Sequence, residues 1–131
     1  IDVQKFFYIQ IVDGERLSAP LDENHPFHVP GQPPRMSWSR NARLFPFEED
    51  RGGYLPVLDV ARAFFELGFE GWVSLELFSR TLADPDPATP EKHAARGWRA
   101  WRRLVEVLKL RASTSASSDA LDASLPLHHR L

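Results

Sequence analysis

The 131-residue chain contains no cysteine. Disulfides, thiolate metal sites and a cysteine nucleophile are therefore excluded, and the composition fits an intracellular, cytoplasmic setting. A strong charge of either sign is also missing. Sixteen Lys and Arg against 18 Asp and Glu leave a formal net charge of −2, which argues against a nonspecific binder of nucleic acid or of a membrane surface. No apolar run approaches the roughly 20 residues needed to span a bilayer. There is no signal-peptide pattern and no internal repeat. An initiating Met is absent too: the chain opens on Ile1 and enters a strand almost at once, as expected of a piece whose N-terminal part is missing. The length suits one small domain.

What is present falls into two strand-like runs, two helical patterns and one long connection. Phe6 to Val12 is continuously apolar except for Gln10, the pattern of a parallel strand buried on both faces, and Asp13-Gly14 marks a turn at its end. A buried Gln10 amide must find partners for both its oxygen and its NH₂. It is either a satisfied core amide, a neutral oxygen ligand for a hard cation, or a hydrogen bond to substrate. Residues 14 to about 53 contain no convincing long element and are punctuated by Pro20, Pro26, Pro30, Pro33, Pro34 and Pro46. Loops of this length are functional or disordered. Phe27, Met36, Trp38, Phe45 and Phe47 favour an ordered lid or wall over a site, which also carries His25 and His28. Its densest part, Met36 to Arg43, with Arg35 just before it, places Arg35, Arg40 and Arg43 near hydroxyls, which suits a carboxylate or phosphate ligand. Salt bridges to Glu48, Glu49 and Asp50 would explain the same arginines equally well.

Arg51-Gly52-Gly53 is a turn. Pro56 suits a first helical position, Val57, Val60, Ala61 and Phe64 recur at helical spacing, and Gly68 is a stop, so a helix is predicted over 56–67. A strand follows over 72–77, with Val73, Leu75 and Leu77 facing one way and Ser74 and Glu76 the other. A carboxylate in such a run is costly unless paired. A metal ion at a barrel mouth would offset that cost; so would solvent or an Arg reached from the strand end. Thr89-Pro90 reads as cap and first turn of a helix over about 90–110. Ala94, Trp98, Trp101, Val105 and Leu108 form its apolar face, and Arg96, Arg99, Arg102, Arg103 and Lys109 its solvated sides. From Arg111 onward the chain is Ser/Ala-rich, which predicts a disordered tail, and His128-His129 is too short a tract for a metal site.

Strand, long loop, helix, strand is a βαβ unit with an elaborated first loop. The segments Phe7 to Asp13, Met36 to Arg43, Glu49 to Pro56 and Gly71 to Arg80 resemble the C-terminal part of the xylose isomerase-like TIM-barrel superfamily. Within it they look most like the fungal 3-dehydroshikimate dehydratases of quinate catabolism. The resemblance covers about residues 5–109, and Ser37-Trp38-Ser39-Arg40 followed by Glu76-Leu77-Phe78-Ser79-Arg80 is its sharper part. It implies an α/β fold, the C-terminal portion of a TIM (β/α)8 barrel comprising about the last two βα units over residues 1–110, with 111–131 as the tail.

In that superfamily a divalent metal is held by one side chain from each of the last four strands. The resemblance places Gln10 and Glu76 as the last two ligands. Many relatives carry His where Gln10 stands; the dehydratase branch is similar to this chain. An oxygen-only set suits Mg²⁺ or Mn²⁺. Ser39 and Arg43 are implied to bind substrate oxygens, the carboxylate above all, with Arg35 and Arg40 as secondary candidates. The implied reaction converts 3-dehydroshikimate, a small-molecule substrate, to protocatechuate. A base removes a proton beside the ketone, the metal stabilises the enolate as a Lewis acid, hydroxide leaves and the ring aromatises. The base, a His in the family, and the other two ligands are expected upstream of residue 1. Two other enzyme readings compete: a sugar phosphate isomerase or epimerase of the same superfamily, and a nucleic-acid-repair member, which would need several His ligands. A noncatalytic binding module would be expected to lose Glu76.

Overall fold

The computed structural model describes residues 2–111, so the tail expected over 111–131 lies, apart from Arg111, outside the described residues. In chain order the elements are β1 (Tyr8–Gln10), β2 (Asp13–Gly14), α1 (Pro34–Asn41), β3 (Arg43–Leu44), α2 (Val57–Glu66), β4 (Trp72–Ser74) and α3 (Thr89–Leu108). The architecture is mixed helix and strand with two small sheets. β1 and β4 pair in parallel, with Tyr8 opposite Trp72, Ile9 opposite Val73 and Gln10 opposite Ser74. The ladder runs one step further, where Ile11 N–H donates to the Ser74 carbonyl at 2.8 Å. β2 and β3 form a two-residue antiparallel pair. The expected βα crossover between parallel strands is therefore present.

Both principal strands are shorter than predicted, Tyr8–Gln10 rather than 6–12 and Trp72–Ser74 rather than 72–77. Each has one hydrogen-bonding partner, and beyond Ile11 the chain turns to pair Asp13-Gly14 with Arg43-Leu44. That dipeptide is thus a short strand rather than a turn. β1 is also not buried on both faces. Ile9 and Ile11 are buried, whereas Phe7 is 79% exposed and Trp72, on the neighbouring strand, 83%. A two-stranded sheet covered by helices on one side has open edges and an open second face.

The core lies between that covered face and the helices: Ile9, Ile11, Ala61, Phe69 and Leu104, flanked by Phe64, Phe65, Val73, Leu75 and Trp101. α2 matches its predicted span closely, with Pro56 at the capping position and Gly68 at φ 84° beyond its end. There the Gly68 and Phe69 N–H groups return to the Phe65 and Phe64 carbonyls. At α3, Ala88 rather than Thr89 occupies the cap, and its N–H is held by the Asp86 carboxylate at 2.9 Å. The buried stripe of α3 is rotated from the predicted one. Ala100 and Leu104 are its buried apolar residues, while Trp98 is 61% exposed. Gly97 explains part of this rotation: a Cβ there would sit 3.1 Å from the Phe45 ring, so the helix approaches the loop closely at this point.

The long connection is less irregular than predicted. It contains α1, a helix polar on all sides that carries no apolar periodicity to announce it. Trp38 anchors it, donating Nε1–H to the Glu15 carbonyl at 2.8 Å and lying over Gly14, where a Cβ would fall 2.4 Å from the indole. Buried Asp13 ties the far end of the loop to β2 by accepting the N–H groups of Tyr54 and Leu55 at 3.1 and 2.9 Å.

Candidate functional site

The end of α1 and the residues after β4 meet at one point. α1 closes at Ala42, whose N–H returns to the Trp38 carbonyl, and Arg43 emerges one turn beyond Ser39. Its side chain folds back over the helix end. Nε donates to the Ser39 carbonyl at 3.0 Å and Nη2 to Ser39 Oγ at 2.9 Å, a common way for a basic side chain to satisfy the last carbonyls of a helix. The Arg43 N–H donates to the Phe78 carbonyl at 3.1 Å, which ties this segment to the exit of β4. The guanidinium lies over the Phe78 ring, 4.7 Å from its centroid.

From that position Arg43 Nη1 donates to the Glu76 carboxylate, and to the Glu76 carbonyl at 3.2 Å. The two side chains are 23% and 35% exposed. The pKa of Glu76 lies below its ordinary value because of the Arg43 hydrogen bond first, and next because of the hydrogen bond from the Gln10 amide. Gln10, Ser39, Arg43 and Glu76 thus converge, the four residues singled out in the sequence. Gln10 is exposed rather than a buried core amide. Glu76 is part-exposed, and its first partner is an arginine, one of the alternatives open to a carboxylate at a strand end.

The donor chemistry fits a hard cation in part. Glu76 offers carboxylate oxygens and Gln10 an amide oxygen. These are two ligands. Among the described residues no group of three or more His, Asp or Glu could hold a metal ion, and so the several-His arrangement of a repair enzyme is not found there.

The secondary candidates are not brought in. Arg40 is exposed and donates to Gln32 Oε1 at 2.9 Å, and Arg35 lines a separate shallow groove with Trp38 and Tyr54. His25 accepts the Phe27 N–H through Nδ1 at 3.1 Å. Salt bridging from Met36–Arg43 to Glu48, Glu49 and Asp50 does not occur. Glu48 instead takes a two-pronged ion pair from Arg96, with both N···O distances 2.7 Å. Arg96 is accordingly no solvated residue. Its partner lies 48 positions away, and helical spacing alone carries no sign of that. Arg80, next to Ser79, pairs with Glu15 and lies 5.1 Å over the Phe27 ring. It closes the loop onto the β4 exit, again a contact between residues far apart in sequence.

With this geometry in place, one similarity decides its context. The chain is 56% identical over 111 residues to a 3-dehydroshikimate dehydratase of Neurospora crassa. The aligned part is 84% of this chain and 31% of that protein, so the chain spans about a third of the length of the curated relative it matches. No family model and no solved structure matches it. No helix among the described residues is long and apolar enough to cross a membrane.

Proposed function

We propose that this chain is the C-terminal part of a 3-dehydroshikimate dehydratase, a hydro-lyase that forms protocatechuate and water, and that it supplies the last two βα units of a TIM barrel. The convergence of Gln10, Ser39, Arg43 and Glu76 carries this proposal, because it assembles two oxygen donors and one anion-binding arginine at the exit of two parallel strands. The similarity to the Neurospora protein supports 3-dehydroshikimate as the substrate. In parallel barrels that exit is the active-site face.

Gln10 and Glu76 would hold a divalent cation, Mg²⁺ or Mn²⁺, with the remaining ligands and the general base outside this chain. When bound, the cation supplies Lewis-acid stabilisation of negative charge developing at the ketone oxygen. Ser39 fixes the direction of the Arg43 guanidinium through two acceptors. Phe78 covers one face of that guanidinium and limits its hydration. Arg43 then orients the substrate carboxylate by charge-assisted hydrogen bonds. The proton and the hydroxide leave the substrate from neighbouring carbons, and aromatisation drives the product side.

The test is turnover of 3-dehydroshikimate by the full-length parent, read as protocatechuate absorbance. Glu76→Gln is expected to abolish metal-dependent turnover while circular dichroism stays unchanged. A parent that fails to dehydrate this substrate, or a Glu76→Gln variant with normal turnover, would overturn the proposal.

A further inference from the structure

α3 carries Arg96, Arg99 and Arg103, three positions that share one face of a helix. That face lies about half a turn from Trp98 and Trp101. It borders a groove of about 340 Å³ whose other wall is the segment after β3. Arg51 stands on that wall, and Glu48 and Asp50 supply the carboxylates. Four arginines thus face two acids, and the pairing is uneven. Arg96 and Arg51 both turn to Glu48, at 2.7 and 3.7 Å. Arg99 and Arg103 are exposed and pair with no carboxylate among the described residues. The Arg103 guanidinium lies over the Phe47 ring, 4.5 Å from its centroid. Such a contact uses the flat face of the guanidinium and leaves its in-plane N–H donors available. Phe47 itself has a φ of 68°, a left-handed conformation that a bulky side chain adopts only under constraint. Packing against the core holds it there, and its ring lines the groove beneath Arg103.

We propose that this groove is a binding site for a small phosphoryl anion, with Arg99 and Arg103 supplying the donors and Arg51 a further positive charge. An arginine fork matches two oxygens of a phosphate at once. Two unneutralised guanidiniums one helical turn apart suit the dianion of phosphate or of a phosphate monoester better than the single charge of a carboxylate. The groove has the size of a small-molecule site. Glu48 does not compete for these donors, because Arg96 holds it by both oxygens. The site does not rest on the dehydratase reading: both of its walls belong to residues 46–103 of this chain.

The experiment titrates inorganic phosphate into the full-length parent by calorimetry, with ionic strength held constant by sodium chloride so that screening is the same throughout. Saturable binding is expected. Arg99→Ala and Arg103→Ala should each weaken it by about tenfold, the scale of one charged hydrogen bond. Arg99 is exposed, so that arm stands even if Arg103→Ala, which uncovers Phe47, folds poorly. Arg102→Ala is the control. Arg102 is exposed on the same helix but does not line the groove, and its loss should leave the affinity unchanged. Phenyl phosphate, titrated in parallel, separates the two sources of the anion. Tighter binding than inorganic phosphate assigns the site to a phosphate ester, and equal or weaker binding assigns it to free phosphate. A wild-type parent without saturable phosphate binding overturns the site. So does a folded Arg99→Ala with unchanged affinity, or an equal loss in Arg102→Ala, which would mark a general charge effect.

Discussion

The Glu48–Arg96 pair allows the most quantitative test of how the connection is held on α3. Its side chains are 12% and 10% exposed, and two N–H···O contacts of 2.7 Å join them. Arg96→Ala would leave the Glu48 carboxylate with the Phe45 N–H at 2.9 Å and Arg51 at 3.7 Å. Breaking a buried pair on one side costs about 3–5 kcal/mol; the two remaining partners put this case near the lower end, about 3 kcal/mol. Replacing both residues by Leu and Met should cost far less, about 1 kcal/mol, mainly for the stranded Phe45 N–H. The pH dependence has a definite sign. Burial pushes the Glu48 pKa up, but the Arg96 hydrogen bond, the Phe45 N–H and the charges of Arg96 and Arg51 outweigh it, so the net value lies below the ordinary 4.5. A depressed folded-state pKa contributes stability that is fully present above the unfolded value and is lost as pH falls through the folded one. The Arg96→Ala deficit should therefore be largest near neutral pH and shrink below the ordinary Glu value. Urea denaturation of the full-length parent, followed by tryptophan fluorescence at several pH values, measures both. A deficit under about 1 kcal/mol at pH 7, or one that does not shrink in acid, would refute a buried clamp.

Three further outcomes are expected. Arg43→Ala in the parent should weaken substrate binding at saturating metal by about 2–5 kcal/mol, as for truncating one partner of a buried charge-assisted contact; unchanged calorimetric affinity would make Arg43 purely structural. Gly14→Ala should displace Trp38, because the added methyl would lie 2.4 Å from its ring; the cost is about 1–3 kcal/mol, read in thermal melts and as a shift in indole emission. The isolated 131-residue chain should self-associate or unfold without a sharp transition and bind no divalent metal tightly, since Phe7, Trp72 and Trp98 lie exposed beside unpaired strand edges. Light scattering and calorimetry would refute this if they found a monodisperse monomer with cooperative unfolding.

Local patterns in the sequence were enough to set the parallel pair of strands, the helix ended by Gly68, and the long helix opened by Pro90. Each rests on spacing or on a backbone preference that acts over a few residues. The resemblance also singled out Gln10, Ser39, Arg43 and Glu76, which the fold places near one another. The tertiary structure alone decided how these residues share their hydrogen bonds. That Arg43 spends Nη1 on Glu76 depends on where α1 ends relative to the exit of β4, a relation between segments more than 30 positions apart. The same holds for Arg96, which helical spacing placed in solvent and which Glu48 buries, and for Trp98, placed in the core and found exposed. A helix period identifies a face, but which way that face turns is set by what packs against it. Here the close contact of Gly97 with Phe45, beside a β1–β4 sheet of only two strands among the described residues, turned it toward Ala100 and Leu104.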